Sequence, residues 1–402
     1  MKLLFFFALV SASATAAANN EICRAKCTTS TDGIEECLFT AKVDLHAGEL
    51  GYYMFEECNG KINPTLGMEV GKTYRFVQSD RSNWYHPLGF AYFPDGALAD
   101  VDELEPGITP PDSSSDCAEK MTCPTPMYFQ DGKYLGKYSN DEKIFSKSEG
   151  EEDFGLDHYE PKFFHSPAEW TDYGTFSITL KFDVEDFASD IFYFCHIHEF
   201  MTGRIKLLKD DKPIQELDLP LIEYKYDSPS DYDKKCGTFG LEEFQLPHDE
   251  CPEKFVCDVP ASLPELALVS DCIDSMNCAM MAGMTTKVTA KSAKALFIHQ
   301  MIPHHQNAVN MAKVLLKSGD LKCDDLTEES DDCALEVILR EIINGQNAQI
   351  QAMRSILESN GWPTEDDCKV EIKVSASGRT LFDTLVCIVT VTASIVMSTV
   401  LI

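Results

Sequence analysis

The apolar periodicity changes once along this chain, and that change constrains the fold more than any other feature. From Glu49 to about Leu208 the stretches "YYMFEEC", "KTYRFVQSD", "GTFSITLKFDV", "DIFYFCHI" and "GRIKLL" are short, aromatic and β-branched, and are separated by Gly, Pro, Asn and Asp. Such a pattern predicts half-buried strands, which close most simply as a β-sandwich. From Leu266 to Trp362 the spacing becomes helical: Phe297, Met301, His304, Ala308, Met311 and Leu315 share one stripe, and Ile342, Gln346, Gln349 and Met353 another. Helices with such stripes pack as a small bundle. The 402 residues suit two domains. The expected fold class is therefore multidomain, an all-β sandwich over 49–225 followed by an all-α bundle over 266–365.

The remaining segments read as connections. Residues 19–48 form a cysteine-containing lead, 226–265 a linker rich in Pro and Asp, and about 94–170 a long insertion of mostly loop inside the sandwich. The opening "MKLLFFFALVSASATAAANN" is a lysine, an apolar run and small residues, the composition of a secretory signal over 1–18. Thr384 to Ile402 is an uncharged run of membrane-spanning length. Upstream of it, in the 366–383 segment, the small residues Ser375, Ser377 and Gly378 are candidates for glycolipid attachment; a single C-terminal transmembrane helix is the alternative. Either anchor predicts a protein on the extracellular face of the plasma membrane.

Sixteen cysteines in a secreted chain predict disulfides. With Cys195 and the tail residue Cys387 set aside, fourteen remain, an even number. Near neighbours such as Cys117 and Cys123, Cys251 and Cys257, Cys272 and Cys278, and Cys323 and Cys333 suggest local staples, although spacing does not dictate connectivity. A formal charge of −32 with no basic stripe excludes a nucleic-acid partner, since polyanions repel.

The parity argument isolates Cys195, which sits in "YFCHIHEFMTGRIKLL". A tightly held copper wants one thiolate, two imidazoles and a weak axial thioether. Cys195, His198 and Met201 have the spacing C-x-x-H-x-x-M on a loop between two strands, and His86 in "DRSNWYHPLGF" supplies the missing imidazole. Glu49 to about Leu208 resembles the cupredoxins, the blue-copper Greek-key sandwiches of amicyanin and plastocyanin type. The resemblance rests on the C-x-x-H-x-x-M loop and on the strand Gly71-Lys72-Thr73-Tyr74-x-Phe76 ahead of the first histidine. It implies a type 1 copper site on His86, Cys195, His198 and Met201, with His198 near the surface as an electron exit.

In the second half, "FIHQMIPHHQNAVNMAKVLL" and "LREIINGQNAQIQAMRSIL" resemble family 305 of domains of unknown function, helical bundles of ferritin-like shape. Met301, His304 and Met311 share one helical face, His305 is adjacent to Met301, and Met353 comes from the last helix. Thioether and imidazole together suit Cu(I) or another soft metal, and Pro303 is expected to kink the helix beside them. The whole reads as a membrane-anchored extracellular copper protein that transfers electrons, with copper ions and a redox protein as partners. Copper storage, tolerance or acquisition through the Met/His bundle is the rival. A copper oxidase or reductase ranks below both.

Overall fold

Alternation is clearest in β3 (Glu35–Asp44), where Cys37, Phe39, Ala41 and Val43 are buried and their neighbours are partly exposed. The structure, a computed structural model, describes residues 22–29, 35–99, 126–137, 155–182 and 190–368. β3 lies in a sheet ordered β2 (Lys26–Thr29), β3, β6 (Thr73–Gln78), β10 (Phe176–Lys181), β8 (Met127–Gln130) and β9 (Lys133–Lys137), with β4 (Tyr52–Phe55) also paired to β3. The second sheet runs β1 (Cys23–Arg24), β5 (Leu66–Glu69), β12 (Gly203–Lys209), β11 (Ile191–Cys195) and β7 (Leu88–Ala91), with β13 (Lys212–Pro213) on β12. β3–β6, β1–β5 and β5–β12 are parallel and the other pairs antiparallel, so both sheets are mixed. Aromatic rings join them face to face, with Phe76 4.7 Å from Phe90 and Phe55 5.2 Å from Tyr193 between centroids.

The sandwich recruits more chain than its periodicity announces. The lead before Glu49 supplies β1, β2 and β3. Within the expected loop insertion, β8 and β9 form a hairpin that extends the sheet, and α1 (Gly155–Tyr159) and α2 (Pro167–Asp172) follow. Ser166 caps α2 through a capping box with Glu169.

Three long helices complete the described chain: α4 (Pro264–Gly283), α5 (Ala293–Ser318) and α6 (Asp331–Ser359), preceded by the short α3 (Asp231–Cys236). Ser292 and Ser330 cap the N-termini of α5 and α6 through their side chains, and Gly319, at φ 73°, ends α5 in the left-handed conformation. α5 runs through Pro303 without a break. The proline ring packs where Gly283 of α4 has no side chain; a Cβ there would lie 3.0 Å from that of Pro303.

The described residues form one compact unit, and the helices contribute to the core of the sandwich. Val309 and Ala312 of α5 and Leu339 and Ile343 of α6 lie in the same buried cluster as Phe39, Tyr53, Tyr193 and Cys195. The 226–265 stretch is likewise no free linker, because disulfides Cys236–Cys272 and Cys251–Cys278 fasten it to α4. Those pairings replace two of the local staples suggested by spacing. Cys257 is exposed and unpaired, Cys368 is also free, and Cys323–Cys333 pairs as its spacing suggested. Cys23–Cys58 and Cys27–Cys37 staple the first strands. Cys117, Cys123, Cys387 and the attachment candidates Ser375, Ser377 and Gly378 lie outside the described residues. Among those described, no helix is long and apolar enough to cross a membrane.

Candidate metal centre

β11 turns Tyr193 and Cys195 toward the core, while Phe194 and His196 share its other face. The register Cys195↔Leu88 sets the end of β11 beside the start of β7, and His196 N–H continues the ladder by donating to Pro87 O at 3.1 Å. This pairing brings the loop before β7 against the loop after β11. Cys195 Sγ consequently lies 3.7 Å from His86 Nδ1 and 3.6 Å from His198 Nδ1. Donors that share one first-row ion at about 2.0–2.3 Å stand at such separations. His86, Cys195 and His198 are 0 % exposed and Met201, three residues on in the same core, is 1 % exposed.

The loop before β7 is held from behind by Gln78. Its Nε2 donates to His86 O at 2.7 Å, and its Oε1 accepts from Leu88 N at 3.0 Å and from the Tyr159 hydroxyl at 2.8 Å. Tyr53 donates to the same carbonyl of His86 at 3.0 Å, and Asn83 Nδ2 ties the loop to Ala41 O at 2.8 Å. Tyr85, immediately before His86, has φ 67°, a left-handed conformation that costs a tyrosine energy and is retained against it. The loop after β11 is held by Asp95, whose carboxylate accepts from Phe200 N at 3.1 Å, Thr202 Oγ1 at 2.9 Å and the Tyr224 hydroxyl at 3.0 Å.

The far edges of both imidazoles are also satisfied. His86 Nε2 donates to Asn344 Oδ1 at 3.0 Å and His198 Nε2 to Asn344 O at 3.3 Å. A carbonyl oxygen can only accept, so the proton of each ring sits on Nε2 and the lone pair of each Nδ1 faces Cys195. Burial pushes His86 well below the ordinary histidine range and His198 down to about 4, which keeps both rings neutral. Burial also pushes the Cys195 thiol up to about 12, opposed by the backbone N–H groups of Ile197 and His198, which favour the thiolate. A neutral imidazole pair around a thiol that loses its proton to a metal is the donor chemistry of a soft ion.

Three clusters of His, Cys, Asp or Glu among the described residues are close enough to share an ion. Two of them, His248–Cys251–Cys278 and Cys27–Glu35–Cys37, are built on disulfide cysteines and have no thiolate to offer. The third is His86–Cys195–His198. Residues 270–357 match the family model "Domain of unknown function (DUF305)". That match spans most of α4, all of α5 and nearly all of α6, and leaves the sandwich outside it. No curated protein and no solved structure matches the chain.

In the DUF305 region the second group of candidates is dispersed. Met311 packs with Met276 against the Cys236–Cys272 disulfide, whereas Met353 packs with Ile302 against Ala295, Ile298 and Leu357. Met301 is half-buried, His304 exposed and His305 half-buried, with the two imidazoles 5.9 Å apart. His305 Nδ1 and Gln346 Oε1 are nevertheless buried without a hydrogen-bond partner. Two residues of the first site were missed in the sequence. Gln78 continues the inward phase of Tyr74 and Phe76, where a polar residue signals a buried network. Asn344 carried no comparable signal, because nothing in its helix says what that face meets.

Proposed function

We infer that this protein is an extracellular copper protein whose type 1 centre, on His86, Cys195 and His198 with Met201 as weak axial ligand, carries single electrons. The observation that carries this reading is the buried free thiol with two imidazole Nδ1 atoms at 3.6 and 3.7 Å, both rings fixed by acceptors behind them. Bound copper would supply a one-electron couple, and the rigid loops limit rearrangement between its two states. The β-sandwich and the C-x-x-H-x-x-M loop favour a cupredoxin. Metal analysis of the copper(II)-treated ectodomain, with its visible and paramagnetic-resonance spectra, tests the reading; a colourless, copper-free protein would overturn it.

The electron exit differs from the one expected. His198 is buried beneath α6, so its imidazole does not reach the surface. Tyr85 lies 6.1 Å from the His198 ring and 5.3 Å from Phe164, which is 41 % exposed, and this aromatic pair is the exit we favour.

Copper storage or acquisition is the second reading. The unpartnered His305 Nδ1, on a helix that also carries Met301 and Met311, favours a soft ion in the DUF305 region. One bound copper per chain argues against it and two support it. Attachment to the outer membrane face is part of both readings, and release from cells by a glycolipid-specific phospholipase tests it.

A further inference from the structure

One residue of the helical region meets both imidazoles of the centre. The Asn344 side chain accepts from His86 through Oδ1 at 3.0 Å, and its main-chain carbonyl accepts from His198 at 3.3 Å. Its Nδ2 donates to Trp84 O at 3.4 Å, which sets the amide with its oxygen toward His86. Asn344 is itself 2 % exposed. We propose that Asn344 is the positioning residue of the metal centre, and that α6 takes the place of solvent behind both histidines. The proposal rests on reading His86, Cys195 and His198 as ligands.

Several independent contacts hold α6 over the site. Gln351 Oε1 accepts from Glu199 N at 3.3 Å and its Nε2 donates to Glu199 O at 3.1 Å, clamping the ligand loop next to His198. Arg354 pairs with Glu49 at 2.8 Å, and Glu336 receives Arg81 at 3.2 Å. From α5, the buried Lys313 donates to Glu49 O at 2.6 Å and Gly48 O at 3.3 Å. Gln351, Lys313 and Glu336 are buried and hydrogen-bonded in this interface, so it opens rarely and shields the two Nε2–H protons from water. The division of labour within Asn344 is also specific. A side-chain substitution removes the acceptor of His86 and leaves the main-chain acceptor of His198 in place.

The test is deuterium exchange of the two histidine Nε2–H groups, followed by nuclear magnetic resonance of the full chain with ¹⁵N-labelled histidine, metal-free and loaded with copper(I). Both protons are expected to exchange at least about a hundredfold more slowly than a free imidazole N–H. In Asn344→Leu the His86 proton loses its protection and the His198 proton keeps it. Asn344→Asp, which retains the oxygen, restores the first. Exchange of both protons at the free rate in the native protein overturns the proposal, as does a response of His198 equal to that of His86. If Asn344→Leu does not fold, the native rates and Asn344→Asp decide the matter: a fast native His86 proton, or one unprotected in Asn344→Asp, overturns the proposal. Protection without copper binding leaves the positioning geometry standing and overturns the metal reading alone.

Discussion

Arg81 of the sandwich, five residues before the candidate ligand His86, forms an ion pair with Glu336 of α6 at 3.2 Å. Arg340, one turn along α6, binds the same carboxylate at 2.7 Å, and Arg81 also donates to Cys323 O at 2.9 Å and to Asp324 O. Glu336 therefore balances two guanidiniums at a seam where its own side chain is 9 % exposed. Glu336→Ala leaves Arg340 buried and unpaired and is expected to lower unfolding stability by about 3 kcal/mol, the low end for a broken buried pair because Arg81 is partly solvated. Urea unfolding checks this; a loss under about 1 kcal/mol, the range of surface pairs, would mean that the seam is open to water.

Among the described residues, Cys195 is the one free cysteine in the His86–Cys195–His198 cluster. Cys195→Ser is expected to abolish the charge-transfer colour of the copper(II) form while the far-ultraviolet spectrum stays that of the native protein. Survival of the colour would place the chromophore elsewhere.

Met201 is buried in the same core as Cys195, and under the proposed type 1 reading its thioether is the weak axial ligand. Met201→Gln should keep the copper, shift the visible bands and lower the reduction potential. Voltammetry reads the potential, and complete loss of copper would show that Met201 is a principal ligand.

The exit through Phe164 predicts a kinetic difference between two exposed phenylalanines. Hexacyanoferrate(III) takes one electron from the copper(I) protein and leaves copper(II). Phe164→Ala should slow that step several-fold with no change in spectrum, and Phe200→Ala should leave it unaltered. Stopped-flow traces in which Phe200→Ala is the slower variant would move the exit to the ligand loop.

The proposed soft-metal binding in the DUF305 region is to be tested in the intact protein, because α5 and α6 share the sandwich core and would expose Val309, Ala312, Leu339 and Ile343 if isolated. His304→Ala with His305→Ala is expected to remove one silver(I) ion per chain. Burial holds His305 below the ordinary value of 6.5, so a site that uses it should keep its metal as pH falls through that value and release it only on further acidification. Silver titrations identical in native and double-variant protein would show that the two histidines hold no ion.

The sequence by itself determined the change from strands to helices, because side-chain period is a local property of each backbone form. It also marked Cys195, His198 and Met201 as candidate ligands, because their spacing lies within one loop. His86 was legible through its residue type and the strand before it, and the register of β7 on β11 carries it to Cys195. Tertiary structure alone decided that Cys251 joins Cys278 rather than Cys257, since pairing follows which backbones meet and not which cysteines are close in sequence. It alone decided that Met311 and Met353 belong to different clusters, because one helical stripe can be divided between two neighbours. Asn344 is the clearest case. An asparagine in a helix has no meaning for histidines 146 and 258 residues away until packing sets its carbonyl 3.3 Å from His198 and its side-chain oxygen 3.0 Å from His86, and only non-local burial creates those contacts.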